Sequence, residues 1–373
     1  MNFISFVGNA DPAIPTNPVL LPRALAAIGH RVMLVEVRDR QNARTLQPWQ
    51  WGRTDSRSPR ENLTVITYVP SLPARVALTA SMERKIMRRA VLDSAKRLWG
   101  EEPAYLLIFS PNEARFREIF PELPFAYRVI DDYPTMPFYA ADPEGCRRED
   151  ERLCREAVAV FASNPKLLEQ RKHLNPRHLL VPNGVDYDHF ARTDLPVPDE
   201  LAELPRPIVG FSGAVDAYKV DFSLLADLAR LRPTWSFVLV GKVGVCDDTA
   251  ETALPSAPNL HYLGFRPYDV LPAYVAAMDV GIIPYGINPY TEGVSPLKLY
   301  EYLAAGKGVV TTPLPFAEAA GSTVRVAADA QGFVEAIEDE LAHPERAEAR
   351  RAAAAANSWS ERAKAIAGYL LDL

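Results

Sequence analysis

Residues 280–312 read VGIIPYGINPYTEGVSPLKLYEYLAAGKGVVTT, and this stretch decides the architecture. An apolar strand, Val280–Tyr285, runs into a loop of Pro, Gly, Asn and Tyr. A helix then opens with Ser295 and Pro296 and stops at Gly306, and a second apolar strand, Val309–Thr312, follows. Ser as cap, Pro at the first helical position and Gly past the end are start and stop signals. One residue runs against local helix physics. Lys298 sits in the first turn, where the helix dipole disfavours a cation, and it precedes Glu301 at i,i+3, the weaker order for an ion pair. A bound anion at the helix start would account for it. Glu301, one turn on and on the same face, can accept hydrogen bonds from sugar hydroxyls. An anion site beside a hydroxyl acceptor suits a nucleotide diphosphate sugar. The alternative for Lys298 and Glu301 is an exposed ion pair.

Strand and helix signals alternate on both sides of this stretch. Phe3–Val7 is apolar, Val19–Ile28 is helical and closed by Gly29, and Val32–Val37 is the next strand. That βαβ opening implies a parallel sheet. Further strands are expected at Leu63–Val69, Tyr105–Phe109, Tyr127–Ile130, Val158–Ala162 and Leu179–Val181, with helices at Met82–Trp99, Glu144–Glu156 and Pro165–His173. Near Asp186 the pattern restarts. The polar, Pro-rich segment DYDHFARTDLPVPDELAELPR reads as a linker. Strands Ile208–Phe211, Ser236–Val240 and Leu260–Leu263 and helices Phe222–Leu231 and Asp269–Met278 come before the stretch quoted above. Helices Gly332–Ala342 and Trp359–Leu371 close the chain. The expected division is 1–185, a linker at 186–206, 207–355, and a final helix at 356–373 that packs back on the N-terminal domain. Each half is a Rossmann-like parallel-sheet α/β unit, and the two face each other across a cleft. Ligands of such sheets bind beyond the carboxyl ends of the strands.

Composition bounds the function. The chain has 373 residues, 48% hydrophobic and 24% charged, the balance of a globular protein with sizeable cores. A net charge of −6 argues against general nucleic-acid binding. No apolar run is long enough to span a bilayer, and MNFISFVGNADP reads as a first strand rather than a signal peptide. Cys146, Cys154 and Cys246 are odd in number and widely spaced, which suggests a reduced, cytoplasmic protein without a zinc motif. The six histidines show no metal spacing.

Other candidates sit at strand ends. Gly213, in the loop after Ile208–Phe211, can let backbone amides approach a phosphate, or it closes a plain turn. Lys219, six residues on, would close over a diphosphate, or it is a solvated loop lysine. Lys242, after Val240 and Gly241, offers the same pair of readings. Asp131 and Asp132 end a buried strand of the first half. One of them would act as general base or stabilise charge on a reacting sugar, or one caps the turn while the other is solvated. Tyr290 lies in the loop before Ser295 and is the tyrosine placed to meet a sugar. Asp186-Tyr187-Asp188 spells a metal–diphosphate pattern, but it lies in the linker and reads as structural. The helix at 82–99 carries Arg84, Lys85, Arg88, Arg89, Lys96 and Arg97, with Ile86, Ala90, Val91 and Leu98 as its apolar side. It offers a face to anionic lipid or an anionic acceptor; a solvated basic face is the alternative.

These residues resemble the group-1 glycosyltransferases of family 4, which have the two-domain GT-B fold. The resemblance runs through GFSGAVDAYKVDFSLL, FVLVGKV, LHYLGFRPYDVLPAYVAAMDVGIIPY and VSPLKLYEYLAAGKGVVTT. More loosely it includes LPRALAAIGHRVMLVE, VIDDYPTMPF, VFASNPKLLEQ and VPNGVDYDHF. It implies that Glu301 binds the nucleotide ribose, and that Ser295, Pro296 and Leu297 form the helix start holding the diphosphate. It places Gly213 near the phosphates, Phe265 and Arg266 beside the base, and Gly8 and Asn9 on the sugar and acceptor side. One position departs from the family: a glutamate that contacts the transferred sugar is replaced by Gly293, with Glu292 adjacent. The implied activity is transfer of a sugar from a UDP-sugar to a hydroxyl of a saccharide, lipid-linked or small-molecule acceptor. No metal or other cofactor is required, nucleic acid is no partner, and the protein is placed in the cytoplasm or peripherally at the inner membrane face through the helix at 82–99. The rivals are a nucleotide-sugar epimerase on the same fold and a non-catalytic nucleotide-sugar-binding subunit.

Overall fold

A computed structural model describes residues 1–8, 15–37, 54–70, 77–244 and 254–373. Asn9 and Cys246 lie outside them. The first sheet contains β1 (Asn2–Val7), β2 (Arg31–Val37), β3 (Thr54–Arg60), β4 (Leu63–Tyr68), β5 (Ala104–Ile108), β6 (Phe125–Val129), β7 (Ala159–Ala162) and β8 (His178–Leu180). Their order is β3-β4-β2-β1-β5-β6-β7-β8, parallel except for β3 against β4. The second sheet contains β9 (Ile208–Ser212), β10 (Ser236–Val240), β11 (Leu260–Gly264), β12 (Val280–Ile283), β13 (Gly308–Thr311) and β14 (Arg325–Val326). It is wholly parallel, in the order β11-β10-β9-β12-β13-β14. Chain order reverses at β1/β5 and at β9/β12, and crevices for ligands open at such points.

The apolar runs are continuous because both faces of each sheet are covered. On β1, Phe3 and Val7 enter one core, while Ile4 and Phe6 enter the core on the opposite face. The C-terminal helix Trp359–Leu371 leaves the second domain and packs on helix Asn17–Ala27 of the first. Its Trp359, Ala363, Ile366 and Leu370 join Val19, Leu20 and Leu25 in one cluster. The two crossings between domains are tied together: Trp359 N–H donates to Val185 O at 3.0 Å, and Val185 N–H to Asn357 O at 3.2 Å. Gly184 is required there, since a Cβ would lie 2.8 Å from the Trp359 nitrogen.

Four sequence expectations change. Strand β3, TDSRSPR, carries no apolar periodicity; as an edge strand it needs only one partner and owes little to the core. The segment expected as a linker at 186–206 holds two short helices, Tyr187–Phe190 and Asp199–Ala202, and buries Phe190 and Leu201 in the second core. Those two apolar residues are its anchors, and the surrounding prolines concealed them. The basic helix runs from Ala77 to Trp99 and buries Met87, Val91 and Trp99, leaving Ile86 and Leu98 outward. Most of its cations are already engaged: Arg84 with Glu118, Arg88 with Glu122, Arg89 with Asp93, Lys96 with Glu101, and Arg97 with the Ser94 hydroxyl. Finally, the helix after the loop at 284–296, the donor loop in the role that the sequence resemblance implies, is Leu297–Ala304, with Pro296 as its cap residue. Gly306 follows at φ +76°, the left-handed residue that the stop signal requires.

Trp359 is 3% exposed at the seam between the two crossings. Trp359→Ala is expected to remove about 3–5 kcal/mol of unfolding free energy. Denaturant titration followed by tyrosine fluorescence and circular dichroism checks this; a loss under about 1 kcal/mol would mean that the final helix does not hold the first domain.

Candidate functional site

The second domain builds its half of the cleft from two glycine turns. Gly213, after β9, has φ +136°, and Gly241, after β10, has φ +153°. They abut so closely that a Cβ on Gly241 would fall 1.9 Å from the Gly213 oxygen. A Cβ on Gly213 would lie 2.9 Å from Cε and Nζ of Lys298, so the missing side chain is what lets that lysine cross the turn. Beneath it, the Tyr302 hydroxyl accepts the Ser212 N–H at 2.7 Å and fixes the end of β9. Lys298 Nζ donates to the Tyr285 hydroxyl at 2.7 Å and sits 5.0 Å from the centre of the Phe211 ring.

Lys298 and Glu301 do not form the exposed ion pair that was the alternative reading. Neither has an ion-pair partner within 4.0 Å among the described residues, and Glu301 has no hydrogen-bond partner there. Burial pushes the Lys298 ammonium down and the Glu301 carboxyl up, each partly opposed by the other's charge. A half-buried cation and a half-buried carboxyl, neither with an ion-pair partner within 4.0 Å among the described residues, are placed where a ligand can complete them.

Ser295 does not cap the helix. Its hydroxyl accepts the Asn183 N–H at 3.2 Å, and its carbonyl accepts Asn183 Nδ2 at 2.6 Å. The helix start is thus held from the first domain, by the residue before Gly184. Asn183 Oδ1 in turn accepts Arg128 Nη2 at 3.0 Å, and Asn183 O accepts Arg362 Nε at 3.4 Å. Arg128, 2% exposed on β6, also donates to Val181 O at 2.9 Å and to Pro182 O at 3.3 Å. Its partners are neutral, and burial followed by the nearby Arg362 charge pushes its guanidinium down to about 9.

The donor loop meets the first domain at three further places. Asn164 Nδ2 donates to Val294 O at 2.8 Å, Lys166 pairs with Glu292, and Tyr290 donates to Asp131 Oδ1 at 3.2 Å. Gly293 lies against that domain: a Cβ there would sit 3.2 Å from Asp132 Cβ and 3.3 Å from Leu167 Cδ2. The contact explains why this position carries no side chain.

The two adjacent aspartates separate. Asp131 faces the cleft, beside Tyr290 and within the field of Lys219. Burial pushes its carboxyl up to about 6 and Asp132 adds to that, while Lys219 and the Tyr290 hydrogen bond oppose it. Asp132 is buried toward the domain interior, 3.5 Å from Arg171, whose guanidinium binds Asp150 at 2.8 Å. Asp150 also accepts the Tyr127 hydroxyl at 2.6 Å. Asp132 therefore belongs to a structural charge network.

The remaining candidates scatter. Lys219 lies over the Tyr218 ring at 5.3 Å, and its carbonyl accepts the Gly286 N–H. Lys242 is exposed, and its carbonyl accepts the Val215 N–H. Phe265 is 39% exposed. Arg266 is held by Glu200 at 2.7 Å and by the Tyr274 hydroxyl at 2.7 Å, a surface cluster. Gly8 follows β1, and a Cβ there would meet no atom within 4 Å among the described residues. Pro296 and Leu297 form the helix start, and Leu297 packs on the first domain's core. Sequence reasoning missed Arg128, Asn164, Asn183 and Tyr302 as site-building residues. A charge inside the apolar strand FAYRV was the available signal for Arg128.

Comparison with known proteins follows the same division. Residues 206–343 match the family model for glycosyl transferases group 1. Over 188 residues, half of this chain, the sequence is 38% identical to a Bacillus subtilis (strain 168) protein provisionally described as the teichuronic acid biosynthesis glycosyltransferase TuaH. The match covers 46% of that relative, so the chain spans about half the length of the curated relative it matches. The whole fold superposes on sucrose-phosphate synthase from Thermosynechococcus elongatus with a TM-score of 0.70 at 17% identity, covering 100% of this chain and 98% of that one. It superposes on Anabaena HepE, solved with UDP and glucose, with a TM-score of 0.69 at 16% identity, covering 100% and 99%. The architecture is GT-B.

Asn183→Ala removes the acceptor for Arg128 and the donor to Ser295. Stability is expected to fall by about 1–3 kcal/mol, the cost of stranding buried polar groups. Chemical denaturation checks this; a variant with parental stability would show that the hinge contacts are replaceable by water.

Proposed function

We propose that this chain, whose second domain is a group 1 glycosyl transferase domain, is a glycosyltransferase that takes its sugar from a nucleotide diphosphate sugar, with UDP as the nucleotide. The observation that carries the reading is Lys298. It crosses a turn that only glycine permits, has no carboxylate partner among the described residues, and stands one helical turn from the equally unpaired Glu301. In this reading the diphosphate lies at the start of helix Leu297–Ala304, where backbone amides and Lys298 meet its charge. Glu301 accepts the ribose hydroxyls.

The positive charge at this site is needed most when the leaving diphosphate develops its own. An ammonium already desolvated and anchored on Tyr285 requires little reorganisation at that moment, which is the condition for electrostatic catalysis. No metal is invoked in this account. Asp131, ionised at neutral pH, faces the reacting sugar from the first domain and stabilises positive charge on it or takes the acceptor's proton. The acceptor is a hydroxyl of a saccharide or of a lipid-linked or small molecule, and it enters on the first domain's side. A polysaccharide acceptor is favoured by the teichuronic acid relative. None of the described helices is long and apolar enough to cross a membrane. Peripheral contact at the inner membrane face, through the outward Met82, Lys85 and Ile86 of the basic helix, is the proposed route to a lipid-linked acceptor.

Glu301→Ala and Lys298→Met are each expected to weaken UDP binding at least about tenfold, equivalent to about 1.4 kcal/mol; isothermal titration with UDP reads this, and unchanged affinity in both variants would remove the assignment. The pH dependence has a definite sign. Asp131 is protonated below its raised value of about 6, so turnover is expected to climb as pH rises through about 6 and to level off above it. In Asp131→Asn that limb should vanish along with most of the activity, and a parental pH–rate profile would exclude Asp131 from the chemistry.

A further inference from the structure

At the carboxyl end of β5, beside the β1/β5 reversal, the first domain presents a carboxyl that none of the readings above assigns. Glu113 follows Phe109-Ser110-Pro111-Asn112, and its Oε2 accepts the Phe109 N–H at 2.7 Å. The Phe109 carbonyl accepts the Tyr133 hydroxyl. The backbone of one residue is therefore held on both sides, by Glu113 and by the loop that carries Asp131. Glu113 Oε1 has no hydrogen-bond partner among the described residues, and the residue is half-buried.

Position decides which space that oxygen meets. The ends of β6, β7 and β8 carry Asp131, Asn164 and Asn183, and all three contact the donor loop of the second domain. The end of β5 is next in line on the same edge, β5 being the neighbour of β6. Asp131 is joined to Tyr290 of the second domain, whereas the hydrogen bond of Glu113 among the described residues stays within its own domain. Buried Tyr133 and half-buried Tyr139 share its field and pack edge to face at 5.9 Å, and Phe138, next to Tyr139 in the chain, is 67% exposed. An exposed aromatic ring on the same loop as these tyrosines suits a sugar ring, whose C–H face stacks while its hydroxyls are bound.

We propose that Glu113 is an acceptor-binding residue, whose Oε1 hydrogen-bonds an oxygen of a saccharide acceptor on the first domain's side of the cleft. This rests on the transferase reading above and names its acceptor contact. The protonation state sharpens the contact. Burial pushes the Glu113 carboxyl up to about 8, against the Phe109 N–H and the charge of Arg115, so at neutral pH Oε1 can carry the proton and donate it. The groups that share its field are Arg115 on its own helix and Tyr133 and Tyr139 from the loop after β6. Asp131 stays ionised under the same conditions, and two carboxyls pushed to opposite states divide donor-side and acceptor-side tasks between them.

The test compares Glu113→Gln, which keeps an N–H donor, with Glu113→Leu, which keeps only bulk. The probes are UDP by calorimetry and UDP-glucose with a panel of p-nitrophenyl glycosides as acceptors. Both variants should bind UDP within twofold of the parent. Glu113→Leu should raise the acceptor KM at least tenfold, and Glu113→Gln should recover most of that loss at pH 7. Parental kcat/KM for the acceptor should fall above about pH 8, while the Gln profile stays flat. Stability supplies a readout independent of turnover. A raised folded-state value means the folded protein holds the proton more tightly, so parental stability should decline as pH rises from about 5 to 8, and Glu113→Gln should decline less steeply, keeping the part that the raised Asp131 and Glu301 carboxyls contribute. An unchanged acceptor KM in Glu113→Leu, with UDP still bound, overturns this proposal alone. A parent that neither binds UDP nor glycosylates any probe overturns the transferase reading, and this one with it.

Discussion

Asn183 holds the molecule together at its narrowest place. Its side-chain oxygen accepts a hydrogen bond from a cation on the first sheet, its side-chain nitrogen and backbone N–H grip Ser295, and its carbonyl meets Arg362 at the final helix. Every polar group of one residue is used, and each partner belongs to a different element. The constraint comes from Arg128. A guanidinium buried without a carboxylate must satisfy its donors on neutral oxygens, and the carbonyls of Val181 and Pro182, the Asn183 amide and, at 3.4 Å, Asn17 supply them. Those oxygens stand where the chain leaves the first domain. Satisfying one cation therefore fixes the trajectory of the hinge.

The geometry of the donor helix follows from that hinge. Ser295 is committed to Asn183, Val294 to Asn164, and Glu292 to Lys166. With the segment before it tied down, the first turn of the helix points at the gap between the sheets. The glycine turns then admit Lys298 over the end of β9. Positive φ at Gly213 and Gly241 gives the backbone a close approach that any side chain would prevent. A cation in the first turn is unfavourable in isolation, and desolvation makes it more so. Local helix physics is overruled by tertiary structure here, which is where functional residues are expected to break local rules.

Much of the plan was legible along the chain. Alternating strands and helices gave parallel sheets, since a parallel neighbour needs a crossover of helical length. Lys298 announced itself by its position, and Gly306 by its stop. What stayed hidden was hidden for physical reasons. Strand β3 lies at an edge and carries polar residues. Phe190 and Leu201 anchor a Pro-rich segment that reads as exposed. Asp131 and Asp132 are neighbours in sequence, and only the direction in which each carboxylate points, one to Tyr290 and the other to Arg171, tells them apart. Glu113 sits after a proline turn with no periodicity to mark it.

By itself, the sequence determined the two α/β halves, the order of their strands' apolar runs and the oddity at the start of one helix, because these depend on residue type and local spacing. Tertiary structure alone decided that Ser295 serves the hinge rather than the helix, that Lys298 and Glu301 have no ion-pair partner among the described residues, and that a glycine at 293 is pressed against the first domain. Each of those facts requires two segments more than a hundred residues apart, or a desolvated environment, and neither distance nor burial is written into local spacing.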